Sequence, residues 1–503
     1  MGKSELVRRL TDYAINYPQK VVVYDSERSW TWKELMEEAH AYAESIRQFA
    51  LGEEIIPIIV NRSGRSVAAM IGSLLAGKCF ANISHELPIL RIEHCIHKTK
   101  SASCIDVSGL YTQQLSQFCN VLSKLESTTN QWHDCEIVLN RLLYILFTSG
   151  SSGDPKAVKV TTSNIENTMM WSLDLIDWRP TDIMGCASQF SFDISMFDFF
   201  TLLYFNVPLA IFSNVKDYRV VLDEIKQFKV TSVFSVPQFF SSLLVSDVLV
   251  LKENCKSLRR ILSGGDFFNP NHLLQWATEF KNIDIYNVWG PTETSIVNTM
   301  HKVNDDDLIF LKEGKIPSIG TQHKRMPLVL LNETRKEEVV KPYEQGEIVM
   351  LGECVTEGYL NDQELTDSKY STYHGVRCFY TEDLAYMDEN NKLFIVGRMG
   401  TMVKISGYRV DLNEIEFVAR GYDNIDHACC IVVMNHLKEK QLQLICTQKN
   451  SAIDFSLYSF KSYLRDRLPQ YMVPKKVHII NEMPLNANQK IDRKQLTISY
   501  TTL

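Results

Sequence analysis

The stretch from Leu146 to Thr161, LFTSGSSGDPKAVKVT, carries residue types that could do chemistry. Thr148, Ser149, Ser151 and Ser152 offer hydroxyls, Gly150 and Gly153 open the backbone, and Lys156 adds a cation. All lie between two apolar runs, LLYILF and AVKVT. A short glycine loop tied between buried strands is suited to wrapping a polyanion with N–H and hydroxyl donors. Its spacing is not that of the common P-loop, G-x-x-x-x-G-K-[ST], and a strand-like run follows where that motif would start a helix. Gly and Ser together also make flexible linker, but no shift in composition marks one here. A second candidate is Asp193, set between Phe192 and Ile194 in FSFDIS. A carboxylate on an apolar stretch is costly unless a cation meets it, and a ligand ammonium group would be such a partner. The competing reading of Asp193 is a helix cap or a surface residue.

The elements that must position these residues alternate. SELVRRLTDYAINYPQKVVVYD reads as helix then strand, and TWKELMEEAHAYAESIRQF as a helix with Thr31 and Glu34 in capping-box spacing. IIPIIV is an almost wholly apolar strand of the kind buried in parallel sheets. SVAAMIGSLLAGKCFANIS, YRVVLDEIKQFKVTSVFSV and NHLLQWATEFKNIDIYNVWG each repeat helix then strand, which predicts an α/β fold of layered sheets. Ser163 and Glu166 give an N-cap signal for the helix after the glycine loop. From about residue 346 short strands and tight turns take over, predicting a β-rich subdomain (about 320–399) of a large N-terminal domain, residues 1–399. Residues 400–503 read as a small α+β domain, with RMGT at 398–401 as the boundary.

Composition narrows the function classes. At 503 residues the chain is too long for one core. A net charge of −7 leaves no basic footprint for nucleic acid, and PKKVH and IDRKQL are short clusters that read as solvated faces. Twelve cysteines without a C-x-x-C pair or an N-terminal secretory signal read as reduced thiols of a cytoplasmic protein. No apolar segment approaches the length of a membrane span, and MGKSEL has Leu6 where a myristoylation site needs Ser or Thr.

Five segments in order sharpen the reading: the glycine loop, FSFDIS (190–195), NVWGPTET (287–294), YTED with GRMGTMVKISGYR (380–409), and LNANQKIDRKQL (485–496). Together they resemble the core motifs of the adenylate-forming (ANL) superfamily, specifically the amino-acid adenylation domains of nonribosomal peptide synthetases and the stand-alone D-alanine–carrier protein ligases. The resemblance spans residues 10 to 496. It implies ATP-dependent activation of an amino acid as the aminoacyl adenylate with release of pyrophosphate. Transfer to the phosphopantetheine thiol of a separate carrier protein would follow. Catalysis of that kind is mostly positioning and charge stabilisation.

By motif, the resemblance makes Lys490 the lysine that bridges carboxylate and phosphate oxygens, Glu293 the Mg²⁺ ligand and Thr292 a contact to the α-phosphate. Asn287, Val288, Trp289 and Gly290 would frame adenine, with Trp289 standing where the family usually has Tyr. Asp383 and Arg398 would hold the ribose, with Lys404 nearby, and the loop Thr148–Gly153 with Lys156 would grip the β- and γ-phosphates. Asp193 would bind the substrate ammonium. Ile194, Phe197, Phe234, Leu262, Gly264, Val288, Ile296 and Val297 would line the side-chain pocket. That lining resembles pockets for Ile, Leu or Val, while a narrower pocket would fit D-alanine or glycine. The chain departs from the pattern at Ala157, at Glu382 (usually Gly), at Gln489 (usually Gly) and at Gly400, a hinge position where Asp is usual. Alternatives are an acyl-CoA ligase and a non-catalytic adenylate-binding protein. Lys475, Lys476 and Arg493 would offer a basic face to an acidic carrier.

Overall fold

The computed structural model describes residues 5–125, 142–149, 155–332, 334–335, 337–400, 402–435, 439–449, 455–484 and 491–501. The chain divides into two compact units. The first holds Met1–His85, Ile96–Leu146 and Ala157–Gly397; the second holds Glu86–Cys95, Phe147–Lys156 and Arg398–Leu503.

In the first unit, apolar runs become parallel strands because helices cover both of their faces. Ile55–Val60 is buried at every residue and pairs in parallel with Cys79–Ser84 on one side and Ser103–Asp106 on the other. These strands belong to a six-stranded sheet. The eight-stranded sheet runs in the order Thr299–Lys302, Asp284–Trp289, Arg260–Gly264, Ser232–Ser235, Met184–Cys186, Leu209–Ile211, Val21–Tyr24, Ser29–Thr31. The helix Trp32–Phe49 starts at Thr31, whose Oγ accepts from the Glu34 N–H while its own N–H donates to the Glu34 carboxylate at 2.8 Å. The helix after the glycine loop, Thr162–Leu175, corrects the expected cap. Its N-cap is Thr161 with Asn164 as the reciprocal partner, two residues before Ser163 and Glu166. The strand runs to Thr161 and the helix begins at Thr162, so the hydroxyl of the strand's last residue takes the cap.

A β-rich layer follows, with Leu328–Leu331, Gln345–Leu351, Tyr370–Tyr373, Val376–Met387 and Leu393–Arg398 in one five-stranded sheet. In the second unit, Met402–Ile405 and Tyr408–Asp411 form a hairpin. Ile425–Met434, Lys440–Gln448 and Lys476–Ile479 form a three-stranded sheet covered by the helix Leu412–Arg420. Among the described residues no helix is long and apolar enough to cross a membrane.

One buried carboxylate ties the strand beginnings beneath the site. Asp182, 1% exposed, accepts from Arg259 (2.7 Å), Arg260 (3.0 Å), the Thr231 hydroxyl and the Arg179 N–H. Removing it leaves the Arg260 guanidinium, itself buried, short of its counter-charge. Asp182→Ala is therefore expected to cost about 3–5 kcal/mol in urea unfolding, against a smaller loss for Asp182→Asn.

Candidate active site

The first unit gathers most of the candidate residues through one strand. Asp284–Trp289 pairs in parallel with Arg260–Gly264, register Ser263↔Asn287 and Gly264↔Val288. Side chains alternate along a strand, so Asn287 and Trp289 share one face and Val288 takes the other. On the first face, the Asn287 amide nitrogen donates to the carbonyls of Pro317 (3.2 Å) and Ser318 (3.0 Å), leaving the amide oxygen as its acceptor. The Trp289 indole N–H donates to Asp383 at 2.9 Å, with both side chains buried.

On the other face, Phe234, Leu262, Val288, Ile296 and Val297 are all buried, as are Ile194 and Phe197 on the facing helix Asp193–Phe205. They belong to one apolar cluster, and the Phe197 and Phe234 rings meet edge to face at 5.4 Å. Gly264 faces this cluster: a Cβ there would lie 2.8 Å from the Val288 carbonyl and 3.4 Å from the Phe234 ring.

After Gly290 the chain turns sharply. Ser295 and Ile296 have positive φ, and a Cβ at Gly290 would fall 2.6 Å from the Ile296 carbonyl, so only glycine fits. The turn presents Thr292 and Glu293. Thr292 Oγ1 donates to Asp193 Oδ2 at 2.5 Å, and the other Asp193 oxygen accepts from the Ile194 N–H at 2.8 Å. Asp193 sits in the first turn of its helix, where the helix dipole favours a carboxylate. The start of the helix thus accommodates its charge, while the N-cap itself is Phe192, which makes no side-chain cap bond. Glu293 is fully buried and accepts from the Tyr359 hydroxyl at 2.8 Å.

Glu382 has φ +62°, the left-handed region where glycine is at ease. Its carboxylate pairs with Lys369 at 2.5 Å, and its N–H donates to Glu347, which Arg335 grips with two bonds of 2.7 and 3.0 Å.

The second unit holds the rest. Thr148 Oγ1 is buried without a hydrogen-bond partner, and Ser149 Oγ donates to the Arg409 carbonyl at 2.7 Å. Lys156 is buried at the start of Lys156–Thr161, and Lys404 is half-buried on Met402–Ile405. Gly400 has φ +82° with open space around it. Gly150, Ser151, Ser152, Gly153, Gln489 and Lys490 lie outside the described residues, as does the Arg398 side chain. Arg493 does not stand free for a carrier: its guanidinium pairs with Glu416 at 2.7 Å. That partner is buried, and a buried carboxylate takes the nearest cation. No motif or spacing marks Tyr359, which holds Glu293 from 66 positions away, or Lys369 and Glu347, which brace Glu382 beside Asp383.

The description "AMP-binding enzyme" is that of a family whose sequence model matches residues 10–360, and the chain belongs to this family of adenylate-forming ligases. Its relatives include a D-alanine–D-alanyl carrier protein ligase of Bacillus licheniformis, 27% identical over 516 residues, which covers 99% of this chain and 100% of the ligase. Bacitracin synthase 1 of the same organism is 27% identical over 497 residues, covering 96% of this chain and 9% of the synthase. In fold, the chain is similar to holo-PA1221, a nonribosomal peptide synthetase protein with adenylation and PCP domains (TM-score 0.84, 24% identity, 98% of this chain and 83% of that one). It is also similar to the Vibrio cholerae adenylation domain AlmE in complex with glycyl-adenosine-5'-phosphate (TM-score 0.82, 19% identity, 100% and 99%).

The indole bond predicts a separable effect. Trp289→Phe keeps an aromatic face but removes the indole N–H that donates to the buried Asp383. Thermal or urea unfolding should show a loss of about 1–3 kcal/mol, with Asp383→Asn, which keeps an acceptor oxygen for the indole, losing less.

Proposed function

We propose that the protein activates an amino acid with ATP and passes it to the phosphopantetheine thiol of a separate carrier protein. The observation that carries this reading is the Thr292–Asp193 hydrogen bond of 2.5 Å. It joins the residue expected at the α-phosphate to the residue expected at the substrate ammonium. An amino acid held by Asp193 would have its carboxylate beside the phosphate it must attack, and bringing two anions together is the main task.

In this reading Asn287 accepts from the adenine amino group, Trp289 stacks on the ring, and Asp383 and Arg398 take the ribose hydroxyls, with Lys404 nearby. The unpartnered hydroxyl of Thr148 fits a phosphate oxygen, alongside Ser149, Gly150, Ser151, Ser152, Gly153 and Lys156. Lys490 bridges carboxylate and phosphate, and Gly400 is the pivot between the half-reactions. Mg²⁺ is bound through one or two carboxylates together with substrate phosphates, and Glu293, a buried carboxylate, fits that donor set. When bound, the ion would neutralise phosphate charge. Tyr359 orients the Glu293 carboxylate through its 2.8 Å bond.

The preference for Ile, Leu or Val read from the pocket residues finds no support among the relatives, which include D-alanine–D-alanyl carrier protein ligases of Bacillus licheniformis and Listeria monocytogenes. We take the substrate to be small, D-alanine or glycine in class. The Phe197 and Phe234 rings are in contact, and the remaining walls are each at most 6% exposed. Walls packed this closely favour a methyl group or a hydrogen over a branched side chain.

Amino-acid-dependent ATP–pyrophosphate exchange tests the reading across the proteinogenic acids, D-alanine and β-alanine. Exchange is expected with one small acid and should vanish in Lys490→Ala. Exchange with none of them, ATP still binding, would sink the amino acid assignment; exchange with leucine or isoleucine alone would sink the small-substrate assignment. Asp193→Asn should raise KM for the amino acid at least ~10-fold, the value of a hydrogen bond to a charged group, while KM for ATP changes little.

A further inference from the structure

Two cysteines outside the site lie in contact at the edge of the six-stranded sheet. Cys104 is on Ser103–Asp106 and fully buried, and Cys119 immediately precedes the edge strand Asn120–Val121. Their sulfurs are 3.3 Å apart. Among the described cysteines, Cys119 alone is not buried. A half-exposed thiol in contact with a sequestered one is the arrangement that two-step thiol oxidation needs: one sulfur open to an oxidant and a second waiting behind it.

The surrounding backbone holds the pair in register. Asn120 N–H donates to the Ala102 carbonyl and Leu122 N–H to the Cys104 carbonyl, each at 2.8 Å. The intervening loop is knotted by Asp106, whose carboxylate accepts from Ser108 Oγ, Gly109 N–H, Tyr111 N–H and Thr112 Oγ1 at 2.6–3.1 Å. Cys119 also donates to the Leu115 carbonyl at 3.4 Å. The hydrogen bond from Cys104 holds the Cys119 thiol below its ordinary pKa. The same bond, with burial, pushes the Cys104 thiol up. Of the two sulfurs, the exposed one is therefore the easier to ionise.

We propose that Cys104 and Cys119 form a reversible dithiol–disulfide site that hydrogen peroxide oxidises. The Cys119 thiolate attacks one peroxide oxygen; an S–O bond forms, the O–O bond breaks, and the leaving hydroxide takes a proton to become water. The Cys104 sulfur then attacks the sulfur of the Cys119 sulfenic acid. The S–S bond forms, the S–O bond breaks, and the departing hydroxide leaves as water with the Cys104 thiol proton. The two thiols lose two electrons and the peroxide gains them. The product ties the edge strand to its neighbour, and a small thiol reverses it by exchange.

The test uses the full chain exposed to hydrogen peroxide, quenched with N-ethylmaleimide, digested and weighed by mass spectrometry. The expected product is one peptide pair joining Cys104 to Cys119, lighter than the reduced pair by two hydrogen atoms and lost on treatment with dithiothreitol. In Cys104→Ser, dimedone should capture Cys119 as the sulfenic acid. In Cys119→Ser, Cys104 should stay reduced at the same peroxide dose. Three wild-type results would each overturn the proposal: Cys119 passing to sulfinic acid without the cross-link, Cys119 remaining reduced, or Cys119 joined to a different cysteine. The wild-type protein decides the matter even if a variant fails to fold.

Discussion

Side-chain alternation along a single strand organises the candidate site. Because Asp284–Trp289 lies in parallel register beside Arg260–Gly264, Asn287 faces the carbonyls of Pro317 and Ser318 and Trp289 faces Asp383 on the strand Val376–Met387. Val288 and Gly264 face the helix that carries Ile194 and Phe197. One strand thereby separates a face that makes the Asn287 and Trp289 hydrogen bonds from an apolar face. A register slip of one residue would exchange the two faces and place Trp289 in the apolar pocket. The register is consequently more stringent than any one side chain, and it explains the glycine at 264, whose Cβ would press on the Val288 carbonyl.

Much of the fold is legible in the residues themselves. IIPIIV can bury every side chain only as an inner parallel strand, and Thr31 with Glu34 forms the reciprocal cap that its spacing announces. Local rules fail where two local answers compete. Thr161 with Asn164 and Ser163 with Glu166 both offer a cap, and the length of the preceding strand decides between them. They fail more deeply where the deciding contact is remote. Thr292 is 99 positions from Asp193, and Trp289 is 94 positions from Asp383. No spacing rule connects residues so far apart in the chain. The resemblance to adenylation domains supplied those residues as candidates, but the hydrogen bonds between them come from the fold.

The same limit applies to the side-chain pocket. A list of eight apolar residues suggests a capacious aliphatic site, yet capacity depends on how the residues pack. Phe197 and Phe234 occupy each other's space at 5.4 Å. Apolar pockets separate ligands differing by one methylene by only about 1–3 kcal/mol. Discrimination of that size rests on tenths of an ångström in wall position, which residue identity does not encode.

Two departures from the usual motifs fall on either side of one carboxylate, and they are physically related. Where similar adenylation domains carry tyrosine, Trp289 supplies an N–H aimed at Asp383; where they carry glycine, Glu382 immediately precedes it. A glutamate held at φ +62° costs about 1–2 kcal/mol relative to glycine. The Lys369 pair returns at most about 1 kcal/mol, since both side chains are partly exposed. The bond from the Glu382 N–H to the buried Glu347, a charged acceptor braced by Arg335, is a backbone bond that glycine would make as well, so it anchors the segment without entering this difference. The Lys369 pair therefore offsets part of the strain and ties down the residue just before Asp383, while the indole fixes the Asp383 side chain. Glycine would leave that backbone free to sample other conformations, and here glutamate and tryptophan together exchange that freedom for a carboxylate held from two directions.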